Sequence, residues 1–114
     1  MLTVEFKLEG QRFAALNGGP AFHLSPAISF MVTCETQGEL DRLWDALSEG
    51  GETMQCGWLT DRFGVSWQLE PAGLLGMLQD PDPQKAERAW RAMLQMTKLD
   101  GDALRSAYEG AGAA

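Results

Sequence analysis

The sequence predicts an α+β fold: a leading β-hairpin, a β-α-β-β module, and a group of C-terminal helices. Three observations predict it. Several segments alternate apolar and polar residues at the two-residue period of a half-buried strand. Two others place apolar residues at helical intervals behind capping residues. The order of these segments, ββ then βαββ then helices, gives an antiparallel-rich sheet.

Thr3–Glu9 sets Val4, Phe6 and Leu8 on one face and Glu5, Lys7 and Glu9 on the other. Glu9-Gly10 is a tight turn into a second strand, Gln11–Leu16, and the pair reads as a hairpin. Asn17-Gly18-Gly19-Pro20 breaks regular structure, and a loop runs through His23 to Pro26. Ala27–Cys34 is the third strand, with Ile28, Phe30, Val32 and Cys34 on one side.

Thr36-Gln37-Gly38-Glu39 has the spacing of a capping box: the threonine hydroxyl accepts from the Glu39 amide while the carboxylate reaches back. Leu40, Leu43, Trp44 and Leu47 follow as a helical stripe, and Gly50-Gly51 ends it. Two strands, Glu52–Leu59 and Gly64–Glu70, follow around the turn Thr60–Phe63, in which Asp61 bonds local amides. Met54, Cys56 and Trp58 share a face of the first, and Val65, Trp67 and Leu69 share a face of the second. A short apolar helix lies near Leu74–Leu78. Asp82-Pro83 then opens a helix ending near Lys98, with Ala86, Ala89, Trp90, Met93 and Thr97 inward. A last helix runs from Asp100 to about Tyr108.

The 114 residues fit one domain, residues 1–110, with a small-residue tail at 111–114 expected to fray. Hydrophobic residues make up 45%, enough to supply a core and so to argue against disorder. The net charge of −7 has no basic cluster within it, which disfavours nucleic acid and anionic membranes as partners. Residues 1–10 show no secretory pattern and no stretch is a membrane span, so a cytoplasmic protein is expected. Cys34 and Cys56 form no CxxC pair and are expected to be reduced and partly buried.

Several stretches together carry a family resemblance. They are Phe13–Pro20, Ala27–Phe30, Cys56-Gly57-Trp58-Leu59-Thr60-Asp61, Gly64–Gln68 and Ala92–Leu99. In these the chain resembles the PhnB-like branch of the vicinal-oxygen-chelate (glyoxalase/bleomycin-resistance) superfamily, whose members are often labelled as 3-demethylubiquinone methyltransferase domains. The resemblance implies a fold in which two β-α-β-β-β modules pair into a cupped sheet around a small molecule. It also implies a strand, a helix and a strand ahead of Thr3–Glu9, which have no counterpart in this sequence. The chain therefore holds one module, about residues 27–70, and the last hairpin of the other.

Metal chemistry in the superfamily uses histidine and glutamate on the first and last strands of each module. By resemblance these positions fall at Gln68, near Ala27–Ser29, and near Ala14 or Ala15, which offer no imidazole or carboxylate. The single histidine, His23, reads as a solvated loop residue. No metal and no cofactor is expected. The glycine-rich turn of a nucleotide-type methyltransferase is absent too, because Gly18-Gly19 and Gly50-Gly51 lack its spacing. No catalytic set emerges, and Cys56 has no neighbouring base in sequence to activate it.

What remains is a candidate binding group: Gln68, Ser66, Ser29, Phe30, Cys56 and Trp58. By resemblance the position of Gln68 faces the cup, so Gln68 and Ser66 belong to the pocket and Trp67 to the sheet–helix core. The function expected is binding of a small apolar or aromatic molecule without a catalytic metal. The alternatives are a metal-independent isomerase, lyase or transferase, and a self-associating remnant. The chain itself is the expected partner, as a homodimer, because the resemblance implies eight strands where five are read and a sheet edge is left bare.

Overall fold

The structure is a computed structural model, and it describes residues 2–110. The expected fraying of 111–114 lies outside the described residues. Strands β1 (Thr3–Leu8) and β2 (Gln11–Leu16) form an antiparallel hairpin whose register pairs Phe6 with Phe13 and Leu8 with Gln11. Its two-residue turn needs positive φ at both positions, which Glu9 (49°) and Gly10 (78°) adopt. The hairpin is a sheet of its own, and it lengthens the molecule to 57 × 26 × 25 Å.

The second sheet has four strands in the order β3-β6-β5-β4, with β3 (Ser29–Cys34), β4 (Glu52–Thr53), β5 (Trp58–Thr60) and β6 (Ser66–Pro71). β6 is central, antiparallel to β5 and parallel to β3. Helix α1 (Gln37–Ser48) makes the crossover that this parallel pair requires. Half of the capping box forms: the Glu39 amide donates to Thr36 Oγ1 at 3.1 Å, whereas the Glu39 carboxylate accepts from the Glu35 amide at 3.4 Å, one residue ahead of the N-cap. Leu40 and Trp44 of α1 pack with Cys34, Leu59 and Leu69 as the first core. Trp67 packs against this core, as the sequence led us to expect. Asp61 organises the β5–β6 turn, accepting from the amides of Phe63 and Val65 and from Trp67 Nε1.

Helices α2 (Leu74–Leu78), α3 (Pro83–Leu94) and α4 (Gly101–Glu109) build a second core around Leu74, Met93, Leu99 and Leu104. Asp82 and Asp100 cap α3 and α4 through Gln84 N and Ala103 N. Two links fasten this helical group to α1. Gln37 donates to the Leu99 carbonyl (2.9 Å) and accepts from the Gly101 amide (2.9 Å), and Lys98 pairs with Asp41 at 3.0 Å.

Three expectations need correction. Residues 52–59 are not one strand: a 3-10 turn at Gln55–Gly57 separates β4 from β5. Helix α3 stops at Leu94, so Thr97 is outside it, and Trp90 is 45% exposed instead of buried. Ile28 precedes β3 and is 75% exposed.

Candidate functional site

Cys56 and Gly57 create the geometry of the site. Both take left-handed backbone (φ 61° and 82°), which throws the chain out of the sheet between β4 and β5. The amides this frees are not lost: Cys56 N donates to Met96 O and Gly57 N to Thr97 O, each at 2.8 Å. The chain after α3 is thereby drawn against the sheet. Gly57 is required on a second count, because a Cβ there would lie 2.7 Å from the Leu69 carbonyl oxygen.

Beyond the turn, the register of β5, β6 and β3 brings Trp58, Gln68 and Met31 into one cross-strand row. The neighbouring row is Thr60, Ser66 and Ser29, and on the other side Glu70 pairs with Thr33. These residues share the sheet face opposite α1. Over part of that face lies a half-open cavity of about 360 Å³. Cys56, Trp58, Gln68 and Glu70 line it from the sheet side, and Leu75, Leu78, Trp90 and Leu94 line it from α2 and α3. Its size falls in the range of small-molecule sites, roughly 300–1,000 Å³, and its walls are mostly apolar.

Gln68 is the central polar group. Its Nε2 donates to Ser29 Oγ at 2.8 Å, and its Oε1 accepts no hydrogen bond among the described residues. Glu70, the carboxylate of the cavity wall, accepts from Thr33 Oγ1 at 3.2 Å. Two of the three positions to which the resemblance assigns metal ligands, Gln68 and the Ala27–Ser29 segment, thus hold an amide and a hydroxyl bonded to each other. No group of three or more His, Cys, Asp or Glu gathers among the described residues. This donor set does not fit a divalent transition metal.

The six sequence-derived candidates separate into three places. Cys56, Trp58 and Gln68 come together at the cavity. Ser29 stands behind them as the anchor of Gln68. Phe30 belongs to the other face, where its ring lies between Phe13 (5.6 Å) and Trp67 (5.4 Å), because one residue along a strand reverses the face. Ser66 is 2% exposed and lines a different hollow of about 330 Å³, with His23, Leu24, Ile28, Phe30 and Val65. Its hydroxyl has no partner among the described residues. Glu70, Met31 and Trp90 were missed. The two-residue step from Gln68 points to Glu70, whereas Trp90 enters through tertiary packing and left no local signal.

Residues 1–70 match the family described as 3-demethylubiquinone-9 3-methyltransferase, which is most of the chain. The chain belongs to this family. Its structure is similar to the PhnB protein of Bacillus cereus (35% identity, TM-score 0.58), over 61% of this chain and 64% of that one. It is also similar to the protein PA1353 of Pseudomonas aeruginosa (25% identity, TM-score 0.52), over 62% of this chain and 64% of that one. The chain therefore aligns with less than two thirds of the length of either relative. No curated protein matches it. The PhnB-like, glyoxalase-like fold expected from the sequence stands on these likenesses, and no helix among the described residues is long and apolar enough to cross a membrane.

Proposed function

We propose that this PhnB-like chain binds a small apolar or aromatic molecule in the cavity between its second sheet and α2–α3, and that it does so without a catalytic metal. The observation that carries this reading is Gln68. Its Nε2 is tied to Ser29, and its Oε1 has no partner among the described residues, in a cavity walled mostly by apolar groups such as Trp58, Trp90, Met31 and leucines, with Glu70 as its one carboxylate. An acceptor on the wall of a half-open cavity without a protein donor favours a ligand that brings one, so the ligand class is an aromatic or aliphatic compound bearing one hydroxyl or N–H. The Trp58 and Trp90 rings supply the apolar contact area. Cys34 and Cys56, both free, suit the reducing cytoplasm in which we place the protein.

Screening small phenols and anilines by two-dimensional NMR tests the reading. Binders at about 1 mM or tighter are expected to shift the Trp58 and Trp90 indole N–H signals. Replacing Gln68 by Leu should weaken them roughly tenfold, the worth of one hydrogen bond of about 1.4 kcal/mol. Binding that ignores Gln68→Leu, or no binding from the whole set, would defeat the proposal.

A further inference from the structure

The cavity between the second sheet and α2–α3 carries a single charged side chain. Glu70 lines it beside Gln68, and none of its lining residues is Lys, Arg or His. Glu5, Asp41 and Glu87 each meet a basic partner, but Glu70 enters no ion pair among the described residues. The hydrogen bond it accepts comes from a neutral group, the Thr33 hydroxyl, at 3.2 Å. A half-buried carboxylate on an apolar wall gives up hydration that a cation with N–H donors restores.

Strand alternation sets Glu70 on the same side of β6 as Gln68, with Cα atoms about 6.6 Å apart. Both side chains are long enough to converge on one group. Each is steadied by a hydroxyl of β3, Ser29 for Gln68 and Thr33 for Glu70. What they offer together is acceptors, the Oε1 of Gln68 and the Glu70 carboxylate, whose two oxygens have capacity beyond Thr33. A hydroxyl brings one donor and satisfies one of them. An ammonium group brings three and the opposite charge. The indole rings of Trp58, on the sheet wall, and Trp90, on the helical wall, add faces that attract a cation. The net charge of −7 favours its approach.

Resting on the reading of this cavity as a small-molecule site, we propose that its ligand is an organic ammonium ion, a primary amine on an aromatic or branched aliphatic body, and that Glu70 selects its charge. The ammonium donates to Gln68 Oε1 and to Glu70, while Trp58 and Trp90 cover the carbon body. A carboxylate ligand is rejected, because it meets acceptors and no base.

Three probes that share a ring and differ in charge test this on the full chain by two-dimensional NMR titration at neutral pH and low salt. Benzylamine, protonated under these conditions, should bind at least about tenfold tighter than benzyl alcohol, and benzoate weakest of the three. Glu70→Gln keeps the side chain's length and an acceptor for Thr33. It should cost benzylamine at least about tenfold in affinity and leave benzyl alcohol within about twofold, which also shows that the variant is folded. Equal binding of benzylamine and benzyl alcohol by the unaltered chain, or a preference for the amine that survives Glu70→Gln, would overturn the charge selection and leave the apolar site standing. If none of the three probes binds, the reading of the cavity falls and this inference falls with it.

Discussion

Replacing Gly57 by Ala places a methyl group where the structure has no room for it. The new Cβ would sit 2.7 Å from the Leu69 carbonyl oxygen of β6 and 3.0 Å from the Leu99 side chain. The residue must also hold φ at 82°, which costs an L-residue about 1–2 kcal/mol. Forcing the overlap adds about 1–3 kcal/mol of packing strain. Displacing the segment would strain the bond from Gly57 N to Thr97 O, worth about 0.5–1.5 kcal/mol. Together these come to about 2.5–6.5 kcal/mol, a large part of a stability that is typically about 5–15 kcal/mol. Gly73→Ala is the matched control, because Gly73 has φ 89° but nothing within 4 Å of its would-be Cβ. That variant should lose only the conformational part, about 1–2 kcal/mol. Urea denaturation of both, followed by tryptophan fluorescence, measures the difference. Equal losses in the two variants would refute the claim that close approach of β6 and Leu99 makes Gly57 necessary.

Trp44→Ala, which empties a site 6% exposed in the first core, should destabilise by about 3–5 kcal/mol in chemical denaturation; a loss under about 1 kcal/mol would mean α1 is not docked on the sheet. The Asp80–Tyr108 hydrogen bond should give stability a dependence on pH at both ends. The Tyr108 hydroxyl donates to Asp80, and with the Asp82 amide it holds the Asp80 carboxyl below its usual 3.8, while the same bond raises Tyr108 above its usual 10.0. Asp80's contribution is thus present above its unfolded pKa and fades as pH falls through the folded value. Tyr108's is present below its unfolded pKa and fades as pH rises through the folded value. Denaturation midpoints measured across pH should show both limbs flattened in Tyr108→Phe, and unchanged limbs would exclude this bond as their source.

Local chemistry explains which elements the sequence revealed. The β1–β2 hairpin, α1 behind Thr36, α2, and the starts of α3 and α4 behind Asp82 and Asp100 are each specified by side chains within a few positions of one another. The break at Gln55–Gly57 was hidden because Met54, Cys56 and Trp58 alternate as a strand would. Nothing in a cysteine announces left-handed backbone; that conformation is imposed by Met96 and Thr97, some forty positions later, whose carbonyls accept the freed amides. The site followed the same division. Gln68 with Trp58 was legible from period and resemblance together. Ser66 and Phe30 were assigned to the same pocket, but strand alternation and the loop around His23 draw them elsewhere. The roof from Trp90 and Leu94 depends on how α3 docks, which no spacing within α3 encodes.

The parallel pairing of β3 with β6 also sets a timetable for folding. The hairpin closes over two residues, and α1, α3 and α4 can each start from their own side-chain cap, so these pieces need little chain entropy to form. Gln68 meets Ser29 only after a loop of 39 positions has closed, and Gln37 meets Gly101 across 64. Such contacts reward the chain late, after most of the ordering cost has been met. The hydrogen bond that orients Gln68 therefore belongs to the slow end of assembly. Refolding followed at the Trp58 indole should lag behind the appearance of helix, so that the chain regains its shape before it regains its cavity.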